Sequence, residues 1–217
     1  MSQNDLLREL LLLDSNEIKY SDKQLKIVEA AIETFSEKGF AASSTSEIAK
    51  KAGVAEGTIF RHYKTKKDLL LSIVTPLMAK LLGPVVAKDF VKEIFEVQYE
   101  NFEQFIRNLA FNRYEFVKNH RTVVKILLQE ISFHDELKEP YILLFQKHIY
   151  KDFQKTIRQF QDQGEVVMWP VNTIIRLIIN TIAGTLLSMF LVLPDQNWDY
   201  DQEMEQTIDF LVKGLKG

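Results

Sequence analysis

Within the stretch Val54 to His62, helical spacing turns Thr58, Phe60, Arg61 and His62 outward while Val54 and Ile59 turn inward. A solvated helix face ordinarily carries Glu, Lys and Gln, so a hydroxyl, an aromatic ring, a guanidinium and an imidazole together form an unusual set. Their chemistry suits nucleic acid: Arg61 can donate to guanine, and Phe60 can offer apolar contact to a thymine methyl or a sugar. The charge agrees. From Lys50 to Lys67 six basic residues face one acid, Glu56, a balance of +5 in a chain of −3, so the remainder carries −8. Such a patch on an acidic protein attracts phosphate locally without making the molecule bind every polyanion it meets.

Side chains of this kind act only when rigid elements hold them. Ser44 or Thr45 can cap a short helix, Ile48, Ala49 and Ala52 give it an apolar stripe, and Gly53 supplies a left-handed residue to end it. The second helix starts near Ala55 or Glu56 and runs to about His62. Upstream, a helix over about Ser21 to Lys38, capped by Ser21 or Asp22 and ended by Gly39, turns Ile27, Ala30, Ala31 and Phe35 inward to hold the pair. Thr65 caps a following helix whose first turn carries Lys66 and Lys67, an unfavourable place against the helix dipole unless an anion is near. This order predicts a helix-turn-helix, with its second helix in the major groove and the surrounding hydroxyls, amides and cations on phosphates.

The stretch resembles the DNA-binding domain of the tetracycline-repressor (TetR) family. Thr45, Ile48-Ala49, Ala52-Gly53-Val54, Gly57-Thr58, His62-Tyr63-Lys64, Lys66 and Leu69-Leu70 stand at the spacings of its pattern, and Ala30-Ala31, Phe35 and Gly39-Phe40 match its upstream helix. The resemblance covers roughly Asp22 to Ile73. Two positions depart from it: Phe60 stands where the family commonly has a Tyr whose hydroxyl meets a phosphate, and Ala55 stands where a Ser commonly caps the recognition helix. The resemblance implies that Thr45, Lys50, Thr65 and Lys66 position phosphates, and that Thr58, Arg61 and His62 lie at or near base edges, with Gly57 permitting close approach and Phe60 offering apolar contact alone. It also implies a dimer whose two reading heads change separation when the helix after Thr65 shifts in response to a ligand.

Composition bounds the rest. The 217 residues are 46% hydrophobic, enough for buried cores, and the absence of cysteine excludes disulfides and thiol chemistry and fits a cytoplasmic setting. Only 8 Gly and 5 Pro, with apolar residues recurring at three and four, predict an all-α chain. Residues 1–20 form an N-terminal extension read as an extra amphipathic helix, 21–68 the helix-turn-helix domain, and 69–217 a helical ligand-binding and dimerisation domain. Pro76 is expected to kink the connecting helix and Gly83-Pro84 to end it.

Phe90 to Phe160 holds 14 of the 24 aromatic residues. Helices are expected over about 90–119, 121–133 and 136–163. The rings resemble the walls of the apolar ligand cavity that the family forms here, with Phe102, Phe105, Tyr114, Phe145 and Trp169 as candidates for a largely apolar small-molecule effector. Pro170 opens an apolar helix to about Leu193, long enough to span a bilayer, but Arg176, Asn180 and Pro194-Asp195 argue for a buried or subunit-facing helix and no membrane. Ala183, Gly184 and Ser188 allow a partner to approach closely. A last helix over about Tyr200 to Leu215 follows, and the resemblance implies a homodimer through these final two helices. His62, His120, His134 and His148 lack metal-ligand spacing, and no phosphate loop, dinucleotide motif or nucleophile motif appears, so no metal, cofactor or enzymatic activity is expected. The expectation is a sequence-specific transcriptional regulator, a repressor released from a near-palindromic double-stranded operator by its ligand. The alternatives are an activator of the same fold, or a small-molecule-binding helical protein with a vestigial reading head.

Overall fold

The computed structural model describes residues 21–82 and 90–217, with the backbone alone for 76–82 and for residues 140, 141, 144, 147 and 148. The expected N-terminal helix before Ser21 and the Gly83-Pro84 terminator lie outside the described residues. The elements are α1 (Asp22–Ala42), α2 (Thr45–Ala52), α3 (Glu56–His62), α4 (Lys66–Leu82), α5 (Phe102–Glu130), α6 (Asp135–His148), α7 (Tyr150–Asp162), α8 (Val171–Leu187) and α9 (Tyr200–Leu215). Among the described residues no strand forms; an isolated bridge pairs Val166 with Lys216. The fold is all-α, as expected.

The chain folds into two compact units, and the first is discontinuous: Thr122–Leu143 joins the segment that ends at Gly83. Within this unit α1 begins with a capping box, the Ser21 hydroxyl accepting from Gln24 N–H while the Gln24 side chain accepts from Ser21 N–H. Its regular course breaks at Gly39 (φ 78°), a backbone position that favours glycine. Ile27, Val28, Ala31 and Phe35 pack inward with Ile48, Ile59, Leu69 and Leu70, all at or near full burial. Each of these side chains other than Ala31 contributes about 1.5–3 kcal/mol by leaving water. From the later segment, Val123, Ile126, Leu127 and Leu137 are also buried. The helix α4 is continuous across Pro76 as far as Leu82.

The second unit comprises Pro84–Arg121 and Leu144–Gly217. Sequence periodicity suggested one helix over 90–119, but helical geometry ceases after Ile94 and resumes at Phe102. The break contains no Gly or Pro. Local bonds make it: the Tyr99 hydroxyl donates to Ile94 O, and the Asn101 side chain accepts from Gln104 N–H. The expected break near Asn119-His120 is present as a kink in α5, where His120 (φ −122°, ψ 18°) leaves helical geometry. The long helix expected over 136–163 is divided at Ile149 into α6 and α7.

An aromatic cluster fills the middle of this unit. Phe102 meets Phe160 at 5.5 Å between ring centroids, Phe95 meets Phe153 at 4.9 Å, and Phe105 touches both Phe153 and Phe160. The rings meet edge-to-face or tilted, the arrangement that places a positive ring edge against a negative face. Beside it, Ile174, Ile178, Ile182 and Leu186 of α8 and Met204, Ile208, Leu211 and Leu215 of α9 are buried. The Thr207 hydroxyl donates to Glu203 O, so in the 3.1 Å contact with Thr185 it is Thr185 that donates. After α8, Ser188–Val192 widens into a π-turn that Leu193 N–H closes on Ser188 O. The stretch Val171–Val192 is long and apolar enough to cross a membrane by length and composition, with mean hydropathy 1.9, and 39% of it is buried within the protein.

Candidate nucleic-acid interface

Helix α2 starts where the Ser44 hydroxyl accepts from Glu47 N–H; of the two candidate caps, Ser44 takes the role and Thr45 becomes the first helical residue. It ends at Gly53 (φ 67°), whose N–H reaches the carbonyls of Ala49 and Lys50. The next turn leads to Ala55, which gives α3 no side-chain cap, as the substitution of Ala for a hydroxyl residue predicts. Ile59 is fully buried and anchors α3 from below. On its outer side Gly57, Phe60, Arg61 and His62 are exposed and Thr58 is half-buried; Phe60 keeps 48% of its surface in solvent. A Cβ at Gly57 would meet no protein atom within 4 Å, so no internal packing demands glycine there. The bare backbone leaves room for a surface outside the protein.

The six cations of the basic stretch divide in two. Lys51 pairs with Glu33 at 2.9 Å and Glu37 at 3.3 Å on α1; the Glu33 bond foremost raises its pKa above the ordinary lysine value. Lys67 pairs with Glu136 at 2.5 Å and holds that carboxyl below its usual range. Lys66 donates to Phe40 O at 2.7 Å and Ser43 O at 2.8 Å while lying 4.3 Å from the centre of the Phe40 ring. An ammonium has three donors, so one is left for any outside acceptor. The unfavourable first-turn charge of α4 is thus relieved inside the protein, by carbonyls near the end of α1. Lys50, Arg61 and Lys64 are exposed and enter no ion pair among the described residues. They make the outward positive face.

Two hydroxyls differ in what they can still offer. Thr65 closes a capping box with Asp68, its oxygen accepting from Asp68 N–H and its own N–H donating to the carboxylate, so its hydroxyl proton remains. Thr45 gives its only proton to Glu56, at 2.6 Å. This contact between α2 and the first turn of α3 has no counterpart in the sequence reading.

The later segment of this unit grips the end of α1. Lys125 donates to Ser36 O at 3.0 Å, Phe40 N–H donates to the buried Glu130 carboxylate at 3.4 Å, and the His134 ring meets Phe40 edge-on at 5.4 Å. Glu130 and His134, four residues apart across the turn after α5, lie 3.4 Å from each other. Sequence reasoning gave these residues no role, because nothing local connects position 130 with position 40.

Among the described residues, the five effector candidates lie in four places. Phe102 and Phe105 are buried in the filled aromatic cluster. Tyr114 packs on Phe190 and Tyr200 and borders an open recess of about 550 Å³. Phe145 borders a separate groove of about 410 Å³ with Tyr150, Asn172, Ile175, Arg176 and Asn180. Trp169 is half-exposed, its backbone carbonyl held by the buried Gln161. Among the described residues no group of three or more His, Cys, Asp or Glu is placed to hold a metal ion.

Residues 27–73 match the family described as "Bacterial regulatory proteins, tetR family". The fatty acid metabolism regulator protein of Bacillus subtilis (strain 168) is 42% identical over 60 residues, which cover 28% of this chain and 31% of that protein's length. The chain thus aligns with less than a third of that relative. The HTH-type transcriptional regulator YvdT of the same organism is 28% identical over 166 residues, covering 74% of this chain and 81% of that protein. Among solved structures, the transcriptional regulator FadR from Bacillus subtilis in complex with stearoyl-CoA shares the fold with a TM-score of 0.63 at 24% identity, over 88% of this chain and 98% of that one. The motif spacing and the capping geometry around Gly53 agree with that match: residues 27–73 are a segment of the tetR family of bacterial regulatory proteins, and the chain shares its fold with solved transcriptional regulators.

Proposed function

We propose that the chain is a homodimeric, sequence-specific DNA-binding repressor of the cytoplasm that a largely apolar effector releases from a near-palindromic operator. The observation that carries this reading is the outward face of α3, where Gly57, Phe60, Arg61 and His62 are exposed beside the unneutralised cations Lys50, Arg61 and Lys64. Helix α3 enters the major groove, with Arg61 and Thr58 at base edges and Lys50 and Thr65 on phosphates. Lys66 supports the same surface by holding the end of α1.

For the dimer, the supporting features lie on α8 and α9. Phe210 is 67% exposed, and Gly184 sits inside α8 with no protein atom within 4 Å of where a Cβ would be. A mid-helix glycine costs roughly 0.5–1 kcal/mol relative to Ala, which close approach of a partner helix would offset. For the effector, the groove bordered by Phe145 and Arg176 combines apolar walls with a guanidinium, a combination suited to an acyl chain ending in an acidic group. The structural likeness to a regulator bound to stearoyl-CoA favours that class. The chain performs no catalysis in this reading.

Selection from random duplex DNA with the purified protein tests the proposal. A palindromic consensus, binding that weakens steeply with salt, and release by a long-chain acyl-CoA are the expected results. No enrichment of any sequence at low salt overturns it. Deletion in a reporter strain separates repressor from activator by the sign of the change.

A further inference from the structure

We infer that Glu56, aimed by Thr45, reads a cytosine at one position of each operator half-site. The inference rests on α3 being the reading helix. Glu56 is exposed in the first turn of α3, the part of a recognition helix that reaches base edges in the helix-turn-helix geometry. It is the one acid among the residues from Lys50 to Lys67. One carboxylate oxygen accepts the Thr45 hydroxyl at 2.6 Å, and the other has no partner among the described residues. The side chain is therefore tethered across the turn between α2 and α3 with an acceptor remaining.

An ionised carboxylate only accepts, and phosphates offer it no donor. In the major groove the donors are the amino groups of cytosine and adenine. Adenine sets its N7 acceptor beside the amino group, where it would face the second carboxylate oxygen, whereas cytosine presents its amino group with no adjacent acceptor of its own. Cytosine is thus the complementary base. The repulsion a carboxylate meets from the DNA backbone is moderated by Lys50, Arg61 and Lys64 on the same helix-turn-helix. Thr45 fits the same account. Its proton is engaged by Glu56, so it serves here as a positioning residue for that carboxylate, whereas the family resemblance implies a phosphate contact.

The test is selection from random duplex DNA, followed by affinity and salt titration, with the full-length protein and its Glu56→Gln, Glu56→Ala and Thr45→Val variants. Melting curves close to that of the parent confirm that the variants fold. The expected outcome has one cytosine-dependent position per half-site in the parent. That preference moves toward adenine in Glu56→Gln, because glutamine donates and accepts together, and it disappears in Glu56→Ala. Affinity of both variants for the parental site falls at least about tenfold, and Thr45→Val blurs the same position. Tighter binding of all sequences by Glu56→Gln, with an unchanged consensus and a steeper salt dependence, overturns the inference and makes Glu56 a source of backbone repulsion. A palindromic consensus in the parent without a cytosine-dependent position overturns it too, leaving the DNA-reading proposal intact. Absence of any consensus in the parent removes both.

Discussion

At the residue scale, Gly57 and Arg61 separate function from stability most cleanly. Because a Cβ at Gly57 meets open space, Gly57→Ala is expected to leave thermal stability unchanged or to raise it by up to about 1 kcal/mol through helix propensity, while weakening operator binding by crowding the approach. A melting curve paired with a binding isotherm checks this, and an equal loss in both would assign the glycine a folding role. Arg61→Ala is expected to relax preference at one position by about 1–3 kcal/mol if it donates to guanine. Lys50→Ala, by contrast, should weaken all duplexes alike and lower the magnitude of the salt slope by about one per subunit, which a titration over salt concentration measures. Much of this surface was legible in the sequence, because a helix of seven residues between a left-handed glycine and a lysine-rich turn is fixed by neighbours in the chain. What was not legible is which hydroxyl or ammonium is already engaged. Thr45, Thr65 and Lys66 have the same types and spacing whether they face solvent or a neighbour, and only packing shows that Lys66 holds Phe40 and Ser43 and that Thr45 holds Glu56.

At the scale of elements, the contacts at the end of α1 carry the strongest expectation. Lys66→Ala leaves two carbonyls without their charged donor, and a cost of about 1–3 kcal/mol is expected in urea unfolding. Lys64→Ala, on an exposed side chain, should stay within about 0.5 kcal/mol. Equal costs for the two would show that the Lys66 contacts contribute little. The elements also show where periodicity misleads. Positions 95–101 contain no residue that forbids a helix, yet Tyr99 and Asn101 bond locally and divert the backbone. The richness in Phe and Tyr was equally ambiguous, since rings that line a void and rings that fill one have the same sequence signature. Phe102 and Phe105 belong to the filled case, and Phe105→Ala should cost about 3–5 kcal/mol in unfolding free energy.

At the scale of the whole molecule, the N-terminal reading head owes part of its core to residues some fifty positions further along the chain. Val123, Ile126, Leu127 and Leu137 are buried, and Lys125, Glu130 and His134 hold Ser36 and Phe40. The motif that reveals the family ends near Ile73, so this dependence leaves no mark on it. The interchangeable piece of this regulator is therefore not a contiguous stretch. A chimera joined at residue 83 would graft a head whose end of α1 lacks its grip, and it should melt earlier and bind DNA more weakly than one that also carries Thr122–Leu143. For anyone building a new sensor from this scaffold, three cuts in the gene are needed where the motif suggests one.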